Sequence, residues 1–134
     1  KLSPPLEGVI SMAHILLVDD DDLARFAMRE VLTRAGHDVT EAENGALGLS
    51  AQASTDFDVI ITDIIMPEVE GIEFIIKIRE QSPNIPVIAV SGGGRMSETD
   101  YLETARDLGA NAILAKPFSE DQLNEKVAEC LAAS

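Results

Sequence analysis

From His14 onward, short apolar runs alternate with stretches whose apolar residues recur at helical spacing. Ile15–Val18, Val59–Ile61, Val87–Val90 and Ile113–Ala115 are continuous apolar runs, the pattern of parallel strands covered on both faces. Asp38–Ala42 alternates polar and apolar positions instead and reads as an edge strand. Residues 22–35 put Ala24, Met28, Val31 and Ala35 on one helical stripe, with Gly36 as the C-cap. Asn44 is an N-cap for a helix over 45–54. Ile72, Ile75, Ile76 and Arg79 mark a helix over 72–80 that stops before Pro83. Ser97 with Asp100 forms a capping box for a helix that Gly109 ends. Ser119 with Gln122 forms another, ahead of the stripe Leu123, Val127, Cys130 and Leu131. Five strands alternating with five helices predict an α/β fold, a doubly wound parallel sheet with right-handed crossovers. In such sheets ligands sit beyond the carboxyl ends of the strands.

The 134-residue length fits one domain, and 46% apolar with 25% charged residues is an ordinary globular mix. No apolar run approaches the ~20 residues that span a bilayer. Asp and Glu number 24 against 10 Lys and Arg, a formal net charge of −14. Such a field disfavours nucleic acid and anionic membrane surfaces, and suits cations or basic protein surfaces. The single cysteine, Cys130, excludes an intramolecular disulfide and fits a reducing compartment such as the cytoplasm. His and Cys are too few for a zinc site built on them. Lys1 to Ser11 holds Pro4-Pro5 and no amphipathic period. It reads as a leader ahead of a native start at Met12, with a natural flexible tail as the alternative, leaving 12–134 as the domain.

The strand ends carry the chemistry. Asp19-Asp20-Asp21-Asp22 follows the first strand, Asp63 the third, Ser91 with Gly92 to Gly94 the fourth, and Lys116-Pro117 the fifth. Singly, each is ordinary: Asp21 and Asp22 suit a helix N-terminus, Asp63 a turn, Lys116 a surface. Together at converging strand ends they define a site. Three carboxylates, Asp19, Asp20 and Asp63, held near one point repel unless protons or a cation neutralise them. Oxygen-only ligands select Mg²⁺ or Mn²⁺. A hard cation beside an ammonium can clamp a phosphoryl group, and a carboxylate can be its nucleophile, forming an aspartyl phosphate. Ser91 could then bond a phosphoryl oxygen and Lys116 pair with the new charge.

These residues resemble the receiver domain of two-component response regulators, especially the single-domain chemotaxis type. The resemblance rests on Ile15-Leu-Leu-Val-Asp-Asp20, Val59-Ile-Ile-Thr-Asp63, Met66-Pro67 with Gly71, Val90-Ser91-Gly92 and Ala115-Lys116-Pro117-Phe118, and runs from His14 to Leu131. It implies a flavodoxin-like sheet of order 2-1-3-4-5 and a phosphoacceptor signalling role rather than an enzyme. By position, Asp63 becomes the phosphoacceptor, Asp20 a direct metal ligand, Asp19 a ligand mostly through water, and the Ile65 carbonyl a further ligand. Ser91 becomes the switch hydroxyl, Lys116 the phosphate-pairing lysine, and Lys116-Pro117 a cis bond. The implied partners are a sensor histidine kinase or histidine phosphotransfer protein and a downstream protein target. The target would be met over the fourth helix, fifth strand and fifth helix, by a monomer or a phosphorylation-dependent dimer. Leu23, Phe26 and Ala27 are docking candidates, although Phe26 reads equally well as core.

Two positions depart from the family pattern. Ile113 stands where an aromatic switch residue is common, so signalling would pass through loop movement. Ser91-Gly-Gly-Gly-Arg95 reads as a longer loop that orders when Ser91 engages phosphate. Ile65 and Gly93 offer no group to position water, which predicts a long-lived aspartyl phosphate. A stand-alone receiver is the favoured organisation, with the excised receiver of a larger regulator or hybrid kinase as the alternative. An aspartyl-phosphate phosphohydrolase would need an acid just beyond Asp63, where Ile64-Ile65 stand, and a cap domain. A binding module that is never phosphorylated would not need Asp63 and Lys116, and nothing resembles a flavin phosphate cradle.

Overall fold

The computed structural model describes residues 13–64, 70–91, 103 and 106–133. The expectations placed on residues 1–11, Ile65, Met66-Pro67, the Gly92 to Gly94 loop and the Ser97 with Asp100 capping box lie outside these residues. Along the chain come β1 (His14–Val18), α1 (Asp22–Arg34), β2 (Asp38–Ala42), α2 (Gly45–Ser54), β3 (Val59–Asp63), α3 (Glu70–Gln81), β4 (Val87–Ser91), β5 (Ala112–Ala115) and α4 (Glu120–Ala133). The strands form one parallel five-stranded sheet of order β2-β1-β3-β4-β5. Thus β2 is an edge strand, as its alternating pattern predicts. Among the described residues four helices are defined rather than the five expected. Where a helix is predicted between β4 and β5, residues 103, 106 and 107 are helical and 108 and 109 form a turn; the other residues of that segment lie outside the described ones.

Strand geometry explains why the apolar runs are unbroken. Successive side chains point to opposite faces. Leu16, Val18, Ile60, Val87 and Ala89 therefore join Phe74, Ile75 and Ile78 of α3 in one buried cluster. Ile15, Leu17, Val59, Ile61, Ile88 and Val90 join Met28 and Leu32 of α1 and Leu123, Val127 and Cys130 of α4 on the other face. With helices on both faces, every residue of the three central strands is buried except His14. Each fully buried Leu, Ile, Val, Phe or Met side chain of these clusters contributes about 1.5–3 kcal/mol by leaving water.

The helix ends follow local chemistry. Asp21 caps α1, accepting from the Leu23 and Ala24 amides, and Gly36 follows the helix at φ +97°, a conformation open to glycine. Asn44 Oδ1 accepts from the Leu47 amide at the start of α2. The Ser119 and Gln122 capping box closes reciprocally, at 2.8 Å and 3.1 Å.

Several details differ from the pattern. In α1 the fully covered positions are Met28 and Leu32, while Phe26 is 54% exposed, which removes its core reading. In α3, Phe74, Ile75 and Ile78 are buried and Ile76 is 40% exposed. β3 and β4 run on to include Asp63 and Ser91, because ladder bonds such as Ile64 N–H to Val90 O continue past the apolar residues.

Candidate functional site

The site is assembled by register. Val18 pairs with Thr62 across β1 and β3, so the next residues, Asp19 and Asp63, leave neighbouring strands side by side. These are the two strands between which the chain order reverses, where open α/β sheets place their ligands. Ser91 pairs with Ala115, and the Lys116 amide donates to the Ser91 carbonyl at 2.7 Å, bringing the fifth strand end to the same edge. The Lys116-Pro117 bond is cis.

One carboxylate oxygen from each of Asp19, Asp20 and Asp63 lies within 4.8 Å of the others. Asp19 and Asp63 are buried and Asp20 is exposed, so the cluster has one open side. Lys116 Nζ donates to Asp63 Oδ2 at 3.3 Å and Asp19 Oδ2 at 3.4 Å. Burial alone would lower the lysine pKa, but Asp63 and then Asp19 outweigh it and hold the ammonium above its ordinary range. Burial raises the Asp19 pKa and the Asp63 charge adds to it, against the Asp21 amide and Lys116, which lower it. Ser91 is fully buried, and its Oγ has no hydrogen-bond partner among the described residues. A buried hydroxyl left unpaired is costly, and a ligand oxygen would satisfy it.

Gly71, at the start of α3, touches the same place. A Cβ there would lie 2.5 Å from the Asp63 carbonyl oxygen and from Ile64 Cα, so only glycine lets the helix approach this closely. Arg25 was not singled out from the sequence. Its Nη1 donates to the Asp19 carbonyl at 2.6 Å, behind the carboxylates. An arginine in the first turn after an acidic run was the available signal.

The donor set fits a hard divalent cation. Three carboxylates in so small a volume supply oxygen ligands only, and Lys116 offsets their charge in part. A phosphoryl group there would find the Lys116 ammonium against the carboxylates and Ser91 at the end of the neighbouring strand.

The model of the response regulator receiver domain family matches residues 15–128 of the 134. The chain belongs to this family. Receiver domains are signalling modules of two-component systems rather than enzymes in the ordinary sense. This receiver domain is 36% identical over 121 residues to a chemotaxis protein CheY homolog of Campylobacter jejuni, covering 87% of this chain and 91% of that one. It is 32% identical to a cyclic di-GMP phosphodiesterase of Thermotoga maritima over 87% of its own length, but spans only 30% of that protein. Among solved structures, a CheY-like receiver domain protein of Methanospirillum hungatei superposes with a TM-score of 0.83 at 28% identity, covering 92% and 96% of the two chains. No helix among the described residues is long and apolar enough to cross a membrane.

Proposed function

We propose that this receiver domain accepts a phosphoryl group on Asp63 and that the addition switches its surface. What supports this most is the Asp63 carboxylate 3.3 Å from the Lys116 ammonium, inside a carboxylate cluster, with the Ser91 hydroxyl at the neighbouring strand end unpartnered among the described residues. An Asp63 oxygen attacks phosphorus of a phosphohistidine. The P–N bond breaks with its electron pair remaining on the imidazole, and an aspartyl phosphate forms. Lys116 pairs with the phosphoryl charge, and Ser91 Oγ donates to a phosphoryl oxygen. Asp19, Asp20 and Asp63, with the Ile65 carbonyl, would hold Mg²⁺ or Mn²⁺. That ion supplies charge neutralisation for the transferring group.

The donor is a sensor histidine kinase or a histidine phosphotransfer protein. Leu23 is 81% and Phe26 54% exposed on the first turns of α1. Beside them a groove of about 630 Å³ runs between α1 and the β5–α4 loop, lined by Phe26, Ala27, Val31, Pro117 and Phe118 and reaching Lys116. An apolar donor surface seated there would present its phosphohistidine to Asp63. The output is a contact with a downstream protein in a cytoplasmic pathway. Residues 12–134 would form the receiver unit.

Intact-mass spectrometry after incubation with Mg²⁺ and acetyl phosphate tests the reading. The wild-type protein is expected to gain one phosphoryl group only with the cation present, and Asp63→Asn none. Equal labelling of the variant would contradict it.

A further inference from the structure

The structure places Asp19 under an unusual degree of restraint, and one residue outside the carboxylate cluster accounts for part of it. The Asp19 amide donates to the Ala42 carbonyl of β2 at 3.1 Å. Its carboxylate accepts from the Asp21 amide at 2.9 Å and from Lys116 Nζ at 3.4 Å. Its carbonyl accepts from Arg25 Nη1 at 2.6 Å, the shortest of the four bonds. Both backbone polar groups flanking the Asp19 Cα are therefore held.

Arg25 is itself fixed. Nη2 donates to Asp22 Oδ1 at 2.6 Å and Nε to Glu41 Oε1 at 2.9 Å, and its side chain is only 13% exposed. The planar fork thus ties the end of β1, the first turn of α1 and the edge strand β2 together, which a lysine ammonium cannot reproduce. Burial would lower the guanidinium pKa, but Asp22 and Glu41 raise it above the ordinary value.

We infer that Arg25 is a positioning residue for the cation site: by holding the Asp19 carbonyl it fixes the loop that carries Asp19 and Asp20, and so sets the affinity for the divalent cation. This deepens the functional reading above and rests on it. Charge and positioning act in opposite senses. A positive charge near the cluster opposes cation binding, so if charge dominated, neutralising Arg25 would tighten binding. If positioning dominates, any loss of the fork weakens it, whatever the charge. Removing partners that orient metal ligands typically costs 10–100-fold in affinity.

The test is direct Mn²⁺ binding, read by the loss of the free-ion electron paramagnetic resonance signal, for the wild type, Arg25→Lys, Arg25→Gln and Arg29→Lys. Arg29 shares Glu41 at 3.3 Å but makes no bond to Asp19 among the described residues. Both Arg25 variants are expected to bind Mn²⁺ about 10-fold more weakly, and Arg29→Lys as the wild type does. Phosphoryl acceptance by Arg25→Lys should recover at saturating cation. Should the Arg25 variants fail to fold, Glu41→Ala, which frees the Arg25 Nε, is expected to weaken binding in the same direction. Unchanged or tighter binding by folded Arg25 variants, or by Glu41→Ala if they do not fold, would overturn the inference while leaving the phosphoacceptor reading intact. A wild-type protein that binds no Mn²⁺ would overturn both.

Discussion

The Asp19 carboxylate is fully buried, yet an oxygen of Asp63 lies close enough to share a cation with it. Desolvation and like charge both act against this arrangement in the absence of an ion. Asp19→Asn keeps the shape and removes one of the repelling charges. It is expected to stabilise the metal-free protein by about 0.5–2 kcal/mol in urea unfolding, the usual range for a single stabilising substitution, while weakening cation binding. A destabilised variant would mean that the Lys116 and Asp21 contacts outweigh the repulsion. At this scale the sequence was informative wherever chemistry sits at a strand end, because the fold class alone brings Asp19, Asp63, Ser91 and Lys116 to one edge. Arg25 was hidden because helical periodicity reports the face a residue occupies, not the backbone carbonyl its guanidinium reaches. Phe26 was ambiguous for a related reason: an aromatic residue near a helix start serves equally as core or as a docking surface.

Between elements, the turn from α1 into β2 is closed by His37. The ring is buried, and its Nδ1 accepts from the Ala13 amide at 3.3 Å, tying the entry of β1 to the edge strand. Burial lowers the His37 pKa below its ordinary 6.5. The unfolded chain therefore takes up this proton first, so the stability contributed by neutral His37 is complete above 6.5 and is lost as pH falls through the lower folded value. His37→Gln is expected to flatten the fall in melting temperature on the acid side of 6.5, before the carboxylates titrate. An unchanged acid slope would assign that loss to other groups. Element identities were legible because caps and periodicity agree, as at Asn44 and at Ser119 with Gln122. Element ends were less so: parallel ladder bonds carry β3 and β4 to polar residues that an apolar run cannot announce. Spacing places Ile76 in the α3 stripe, but the sheet covers only the face bearing Phe74, Ile75 and Ile78.

Across the whole molecule, a net charge of −14 on 134 residues makes self-repulsion a general term. Raising NaCl from about 10 to about 200 mM shortens the Debye length from roughly 30 to under 10 Å. The melting temperature is expected to rise over that range, and a fall would show that attractive surface pairs dominate. The α/β class could be read from alternation alone. The strand order required the resemblance, because periodicity says which segments are strands and not which are neighbours. That order decides function: it sets β1 beside β3 and so Asp19 beside Asp63. The most direct test is to locate the phosphoryl group. The protein is phosphorylated with Mg²⁺ and acetyl phosphate and reduced with borohydride, which converts an aspartyl phosphate to homoserine, and its peptides are then sequenced by mass spectrometry. Homoserine at position 63 alone is the expected result, whereas homoserine at 19 or 20, or at no aspartate, would contradict the assignment of Asp63 as acceptor.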